Sequence, residues 1–237
     1  MSITNKKNIM MMEKIKYLFI VLSIALFTWQ PAIAKANPDD YKVILTLNDG
    51  TIIEGFLKGD IMGDKIKVSE KFNGKAKKYA TNDIKTLVFP PTGSDPEQLT
   101  FVPVMVHDNH ELLNRNPKNP RLLMKVYETD RMIGYISPAE DFSFSPTLIS
   151  YWNSMKYYYQ VKGEQRAHTY WKVVVNAKVI GLKSMLKKCF KRFPYVKDYI
   201  DSKEFNSKVF FKNPEILMPV MDEGLKSGNY TREETEQ

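Results

Sequence analysis

Val43-Ile44-Leu45-Thr46-Leu47-Asn48-Asp49-Gly50-Thr51-Ile52-Ile53-Glu54-Gly55-Phe56-Leu57 is the stretch from which the fold is read. Two β-branched runs flank Asn48-Asp49-Gly50, a turn with glycine where a positive φ is wanted, so the segment predicts a hairpin. Next along the chain, Lys65-Ile66-Lys67-Val68-Ser69 alternates polar and apolar residues. Phe72-Asn73-Gly74-Lys75 supplies a second turn, and Thr86-Leu87-Val88-Phe89 a last strand. Five short strands in so little chain predict a small β-barrel over residues 39–90, because closing a sheet removes its exposed edges.

The N-terminal side has a different character. Lys6, Lys7, Lys14 and Lys16 precede the apolar run 17–27, which is followed by Pro31 and Ala32-Ile33-Ala34. A basic segment, an apolar core and a small-x-small site predict a secretory signal peptide over residues 1–34, cut after Ala34 or, alternatively, Ala36. Met10, Met11 and Met12 leave the start open. The apolar run is short for a span of about 20 residues, so no retained transmembrane span is expected and the product is placed in the periplasm or outside the cell. Cys189 is the only cysteine, which excludes an internal disulfide.

Pro90-Pro91-Thr92-Gly93-Ser94-Asp95-Pro96 reads as a linker. Beyond it, runs at 99–106, 122–128, 132–137, 157–161 and 166–175 predict an antiparallel β region, with turns at Glu128-Thr129-Asp130-Arg131 and Lys162-Gly163-Glu164. The period then changes: Leu182, Met185, Leu186, Cys189, Phe190 and Phe193 recur at helical spacing, with lysines between them. A short second stripe follows Pro194, and a third helix is expected from Asn213-Pro214-Glu215, kinked or divided at Pro219 and stopped at Gly224. The fold class is therefore α+β: a small barrel, a β region with C-terminal helices over 98–226, and a flexible tail over 227–237.

Leu47-Asn48-Asp49-Gly50, with Gly55 and Leu57-Lys58-Gly59-Asp60 after it, resembles the first motif of Sm-like barrels and, more broadly, SH3-like ones. Such barrels bind RNA through a polar loop residue and an arginine-glycine pair. Here Met62-Gly63 and Ala80-Thr81-Asn82-Asp83-Ile84 stand in those places, so the RNA site is not carried over. The layout from Tyr157 to the helical end is similar to uncharacterised exported proteins of the Bacteroidetes. That resemblance implies export and a β-rich body with a helical C-terminus, and no activity.

The formal charge of +8 falls to about +5 once the leader is removed, too little to imply a nucleic-acid partner. Its distribution is uneven: residues 151–212 carry 14 basic against 4 acidic side chains, whereas residues 35–150 carry 15 against 16. In the basic segment Tyr157, Tyr159 and Trp171 interleave with Lys156, Lys162 and Arg166, a pattern suited to an anionic envelope glycan. The alternative is that these aromatics fill the sheet core. His107-Asp108-Asn109-His110-Glu111 is the densest group of metal-ligating types, and His107 with His110 would serve a metal-dependent hydrolase. Cys189 and His168 read as packing residues, and no phosphate-binding glycine loop, His-Glu-x-x-His pair or Gly-x-Ser-x-Gly elbow occurs. The expectation is a non-enzymatic envelope binding or interaction protein without a cofactor, whose partner is an anionic glycan or another envelope protein. A metal-dependent hydrolase and a structural assembly subunit are the alternatives.

Overall fold

Each run of alternating or β-branched residues forms a strand. The computed structural model describes residues 41–92, 97–107, 117–138, 155–172 and 181–231, so the expected leader lies outside the described residues. Strands β1 (Lys42–Leu47), β2 (Ile52–Leu57), β3 (Lys65–Ser69), β4 (Lys77–Ala80) and β5 (Ile84–Phe89) come from the first half. The hairpin predicted at Asn48-Asp49-Gly50 joins β1 to β2, with Thr46 opposite Ile52 and Gly50 at φ 87°. Asp49 Oδ1 accepts from Thr51 N at 2.9 Å, closing the turn. Gly55 is where β2 bends across β3. A Cβ there would stand 2.6 Å from the Ser69 carbonyl oxygen, and the two strands pair only at Phe56–Ser69 and Leu57–Val68. Val43, Leu45, Leu57, Ile66, Val68, Ile84 and Leu87 meet on one side of this unit as a buried cluster.

The first-half strands do not close on themselves among the described residues. β4 is an outer edge, and the ladder runs from β5 into the second half through Leu87–Phe101 and Phe89–Leu99. The second half contributes β6 (Leu99–Val104), β7 (Val106–His107), β8 (Arg121–Glu128), β9 (Met132–Pro138), β10 (Met155–Val161) and β11 (Ala167–Lys172). The eleven strands form one sheet in the order β4-β3-β2-β1-β5-β6-β8-β9-β10-β11-β7.

The expectation of a purely antiparallel second half is corrected at one ladder: β11 pairs with β7 in parallel, Ala167 opposite Val106. The reason is topological. Only Met105 separates β7 from β6, so the sheet curls until β11 lies beside the continuation of the strand that began it. With β6, β8, β9, β10 and β11 each antiparallel to its neighbour, the fifth strand points the same way as the first. Inside the curl pack Val104, Val106, Leu123, Tyr135, Tyr158 and Ala167.

Outside the curl lie the helices α1 (Leu182–Cys189), α2 (Pro194–Asp201), α3 (Ser207–Lys212) and α4 (Leu217–Lys226), with a 3₁₀ turn at Pro214–Ile216. This layer, with the link between α1 and α2, packs Leu186, Phe190, Phe193, Val196, Phe210 and Met218 against Met132, Ile136, Tyr157, Tyr159, Tyr170 and Trp171 of the sheet. α4 sits so close to β9 that a Cβ at Gly134 would overlap Met218 Sδ. The protein is therefore α+β, and β10 is buried on both faces.

Three helical expectations are revised. Pro219 divides nothing, because it falls in the first turn of α4, where the missing N–H has no intrahelical partner to lose. Gly224 does not stop α4. It is buried beside Tyr195, and the positive-φ glycine past the helix end is Gly228, at φ 71°. α3 was not foreseen, although Asn206 caps it by accepting from Lys208 N at 2.9 Å. No helix among the described residues is long and apolar enough to cross a membrane.

Candidate functional site

Strand alternation sends Lys156, Tyr158 and Gln160 of β10 into the curl, and Tyr157, Tyr159 and Val161 toward the helices. On β9, Tyr135 and Ser137 share the inward face, and Ser137 lies directly opposite Lys156. On β8, Arg121 stands two residues before the inward Leu123. These placements meet in a small recess of about 10 Å³, room for about one water, whose polar lining is Arg121, Ser137, Lys156 and Tyr158. Val106 and Leu122 of the sheet, with Ile61 and Met62 of the β2–β3 loop, supply its apolar lining.

The polar groups of the cleft differ in exposure. Lys156 is only 7% exposed, an uncommon state for a lysine, while the Arg121 side chain retains 28%. Arg121 Nη1 donates to the Met62 carbonyl and lies 3.9 Å from Asp64 Oδ1, which is half exposed at the rim. Deeper in the curl, Tyr135 donates to Gln160 Oε1 at 3.0 Å, and burial pushes its phenol up to about 12. Arg121, Lys156, Ser137 and Tyr158 thus place two cations and two hydroxyls beside an apolar floor.

The residues expected to form one basic aromatic surface are separated by the fold. Tyr157, Tyr159 and Trp171 are buried under the helical layer, where Tyr159 meets Phe193 edge-on at 5.2 Å and Trp171 meets Phe210 at 4.9 Å. This corrects the surface reading, and the weighed alternative of core aromatics describes them. Lys156 faces the opposite side of β10, into the cleft. Lys162 is exposed at the β10–β11 turn, 3.2 Å from Glu128. Arg166 braces β7 by donating to the Val106 carbonyl at 3.1 Å. His107 stacks on the buried His168, ring centroids 5.4 Å apart, and His110 lies outside the described residues. Among the described residues no three side chains are grouped as a metal would require.

A second polar group was not foreseen. Glu164, in the β10–β11 turn, accepts hydrogen bonds from Arg192 and Tyr230, and Arg192 Nη1 lies 3.0 Å from His168 Nε2. The same Nε2 lies 3.6 Å from Glu164 Oε2. Burial alone would raise Glu164, but the donors around it and the charge of Arg192 hold its carboxyl at about 2. The same Arg192 donates through Nε to the Thr231 carbonyl at 3.0 Å. The tail, expected to be loose from Ser227, is therefore tied down at Tyr230 and Thr231. No spacing signal links Glu164 to Arg192, which are 28 residues apart and meet only through the packing of the helical layer.

Neither a family model, a curated protein nor a solved structure matches the chain.

Proposed function

We propose that the protein is an exported, non-enzymatic binding or interaction protein of the cell envelope, and that its ligand is anionic, an acidic glycan being the candidate the envelope offers. The observation that carries this reading is the cleft in which Lys156 and Arg121 stand with Ser137 and Tyr158. Concentrated cations in a partly desolvated recess attract an acid group more strongly than the same charges spread over a solvated face. Export rests on the leader sequence, and so does the similarity to exported Bacteroidetes proteins on the layout of the chain. The SH3-like or Sm-like reading of residues 39–90 draws support from the return of β5 to pair with β1 after the 3₁₀ turn Thr81–Asp83.

The test is retention of the purified chain on matrices carrying acidic or neutral envelope glycans. Retention on the acidic matrix that weakens as salt rises is the expected result. Equal retention on both would contradict the proposal.

A further inference from the structure

We infer that the outer face of the β3–β4 hairpin binds a linear acidic polysaccharide through Lys65, Lys67 and Lys78. This rests on the anionic-ligand reading above and adds a second contact, outside the recess, that selects a polymer.

Strand alternation makes the face. Ile66 and Val68 of β3 are buried in the first-half cluster, so Lys65 and Lys67 project outward. On β4, Tyr79 packs against the same cluster and Lys78 projects outward, directly opposite Lys67. All three lysines are exposed. The two opposite charges of one sign repel across the ladder, and the third stands two residues along β3. Strand geometry spaces such positions about 5 Å apart across the ladder and about 7 Å apart along it.

Nothing within the protein offsets this repulsion. Among the described residues none of the three lysines takes part in an ion pair, and Asp64, next to Lys65, faces Arg121 at 3.9 Å. Neighbouring lysines are engaged: Lys58 donates to the Phe72 carbonyl, and Lys77 Nζ stands 5.3 Å from the centre of the Tyr79 ring. Lysines on an edge strand also keep it from pairing with another sheet, but that role needs charge on β4 alone. Lys65 and Lys67 stand one strand further in. A local arrangement that costs stability without a structural gain marks a functional surface.

Shape and surroundings decide the class of anion. A flat, exposed row has no walls to hold a single acid group, whereas acid groups repeated along a chain meet the row together. The rings nearest the hairpin on this side, Tyr41, Phe56 and Phe72, are tilted or edge-on to one another at 5.6–5.8 Å. They form no flat platform for stacked bases, which favours a sugar polymer held by charge over a single-stranded nucleic acid.

Binding of the purified chain to polygalacturonate, dextran sulfate, dextran, monomeric galacturonate and oligothymidylate at low salt tests this. The native chain is expected to bind an acidic polysaccharide and neither dextran nor the monomer, and the polymer that binds tells whether carboxylates or sulfates are read. Lys67→Gln/Lys78→Gln is expected to bind it about tenfold more weakly. The melting temperature of the same variant is expected to rise by roughly 1–2 °C as the repulsion is relieved. Lys191→Gln/Lys203→Gln, which removes equal charge from exposed positions of the helical layer, is expected to bind as the native chain does. Equal losses in the two double variants would reduce the effect to net charge and overturn the inference. Unchanged polymer binding by Lys67→Gln/Lys78→Gln, a lower melting temperature in it, or monomer binding as tight as polymer binding would overturn it too and leave the anionic-ligand proposal standing. Preference for oligothymidylate would overturn the polysaccharide. No binding of any anion would sink both readings.

Discussion

Glu164 shows how much one buried carboxylate does for this fold. It receives Arg192 and Tyr230 and so fastens the β10–β11 turn to the end of the helical layer. Glu164→Gln leaves the Arg192 guanidinium half-buried without its counter-charge, and a loss on the order of 3 kcal/mol is expected, read from denaturant unfolding. The pH dependence follows from the sign of the shift. The folded carboxyl sits at about 2, below its ordinary 4.5, so its contribution is complete above about pH 4.5 and is lost as pH falls toward 2. Thermal melts should therefore fall more steeply over that window in the native chain than in Glu164→Gln. Equal slopes would contradict the assignment. At this scale the sequence was a poor guide. Lys156 and Tyr157 are adjacent and equally suggestive as letters, yet one lines the cleft and the other lies under α1–α4, because consecutive strand residues point to opposite faces.

Elements were far more legible. Every strand of the first hairpin follows from its β-branched run and from Asn48-Asp49-Gly50, since turn chemistry and alternation are local properties. Gly55 is equally readable as a bend, and its energetic meaning appears in the structure. Gly55→Ala drives a methyl into the Ser69 carbonyl, a backbone group that cannot rotate away, so a loss of roughly 1–3 kcal/mol in unfolding free energy is expected. A neutral effect would mean that β2 and β3 cross less closely. Tyr170 marks where local reading stops. It is the extra residue of a bulge between Tyr157–Trp171 and Tyr158–Thr169, which turns two successive aromatics toward the helices. Its hydroxyl donates to the Pro214 carbonyl at 3.1 Å, which also accepts from the Leu217 N–H, and Tyr170→Phe should cost about 1 kcal/mol by removing one buried hydrogen bond. No pattern in the sequence announces the bulge, because it is set by the curl of the sheet.

At the scale of the whole molecule, the decisive feature is that β10 is covered twice, by the interior of the curl and by the helical layer. Met155-Lys156-Tyr157-Tyr158-Tyr159, read as a surface, is a continuous run of large side chains, and that continuity is itself the mark of a strand buried on both faces. Hydrogen exchange should accordingly be slowest in β9 and β10 and much faster in β4, the edge strand. Fast exchange in β10 would remove the double cover. Of the residues expected to bind, Lys156 alone lies with a second cation, Arg121, in the lining of the recess. The most direct measurement compares the native chain with Lys156→Met in binding an acidic envelope glycan at low and high salt. The cleft assignment predicts salt-sensitive binding by the native chain and at least a severalfold loss in the variant, with its fold retained because methionine suits the buried position. Undiminished, equally salt-sensitive binding by Lys156→Met would place the ligand elsewhere and contradict the account.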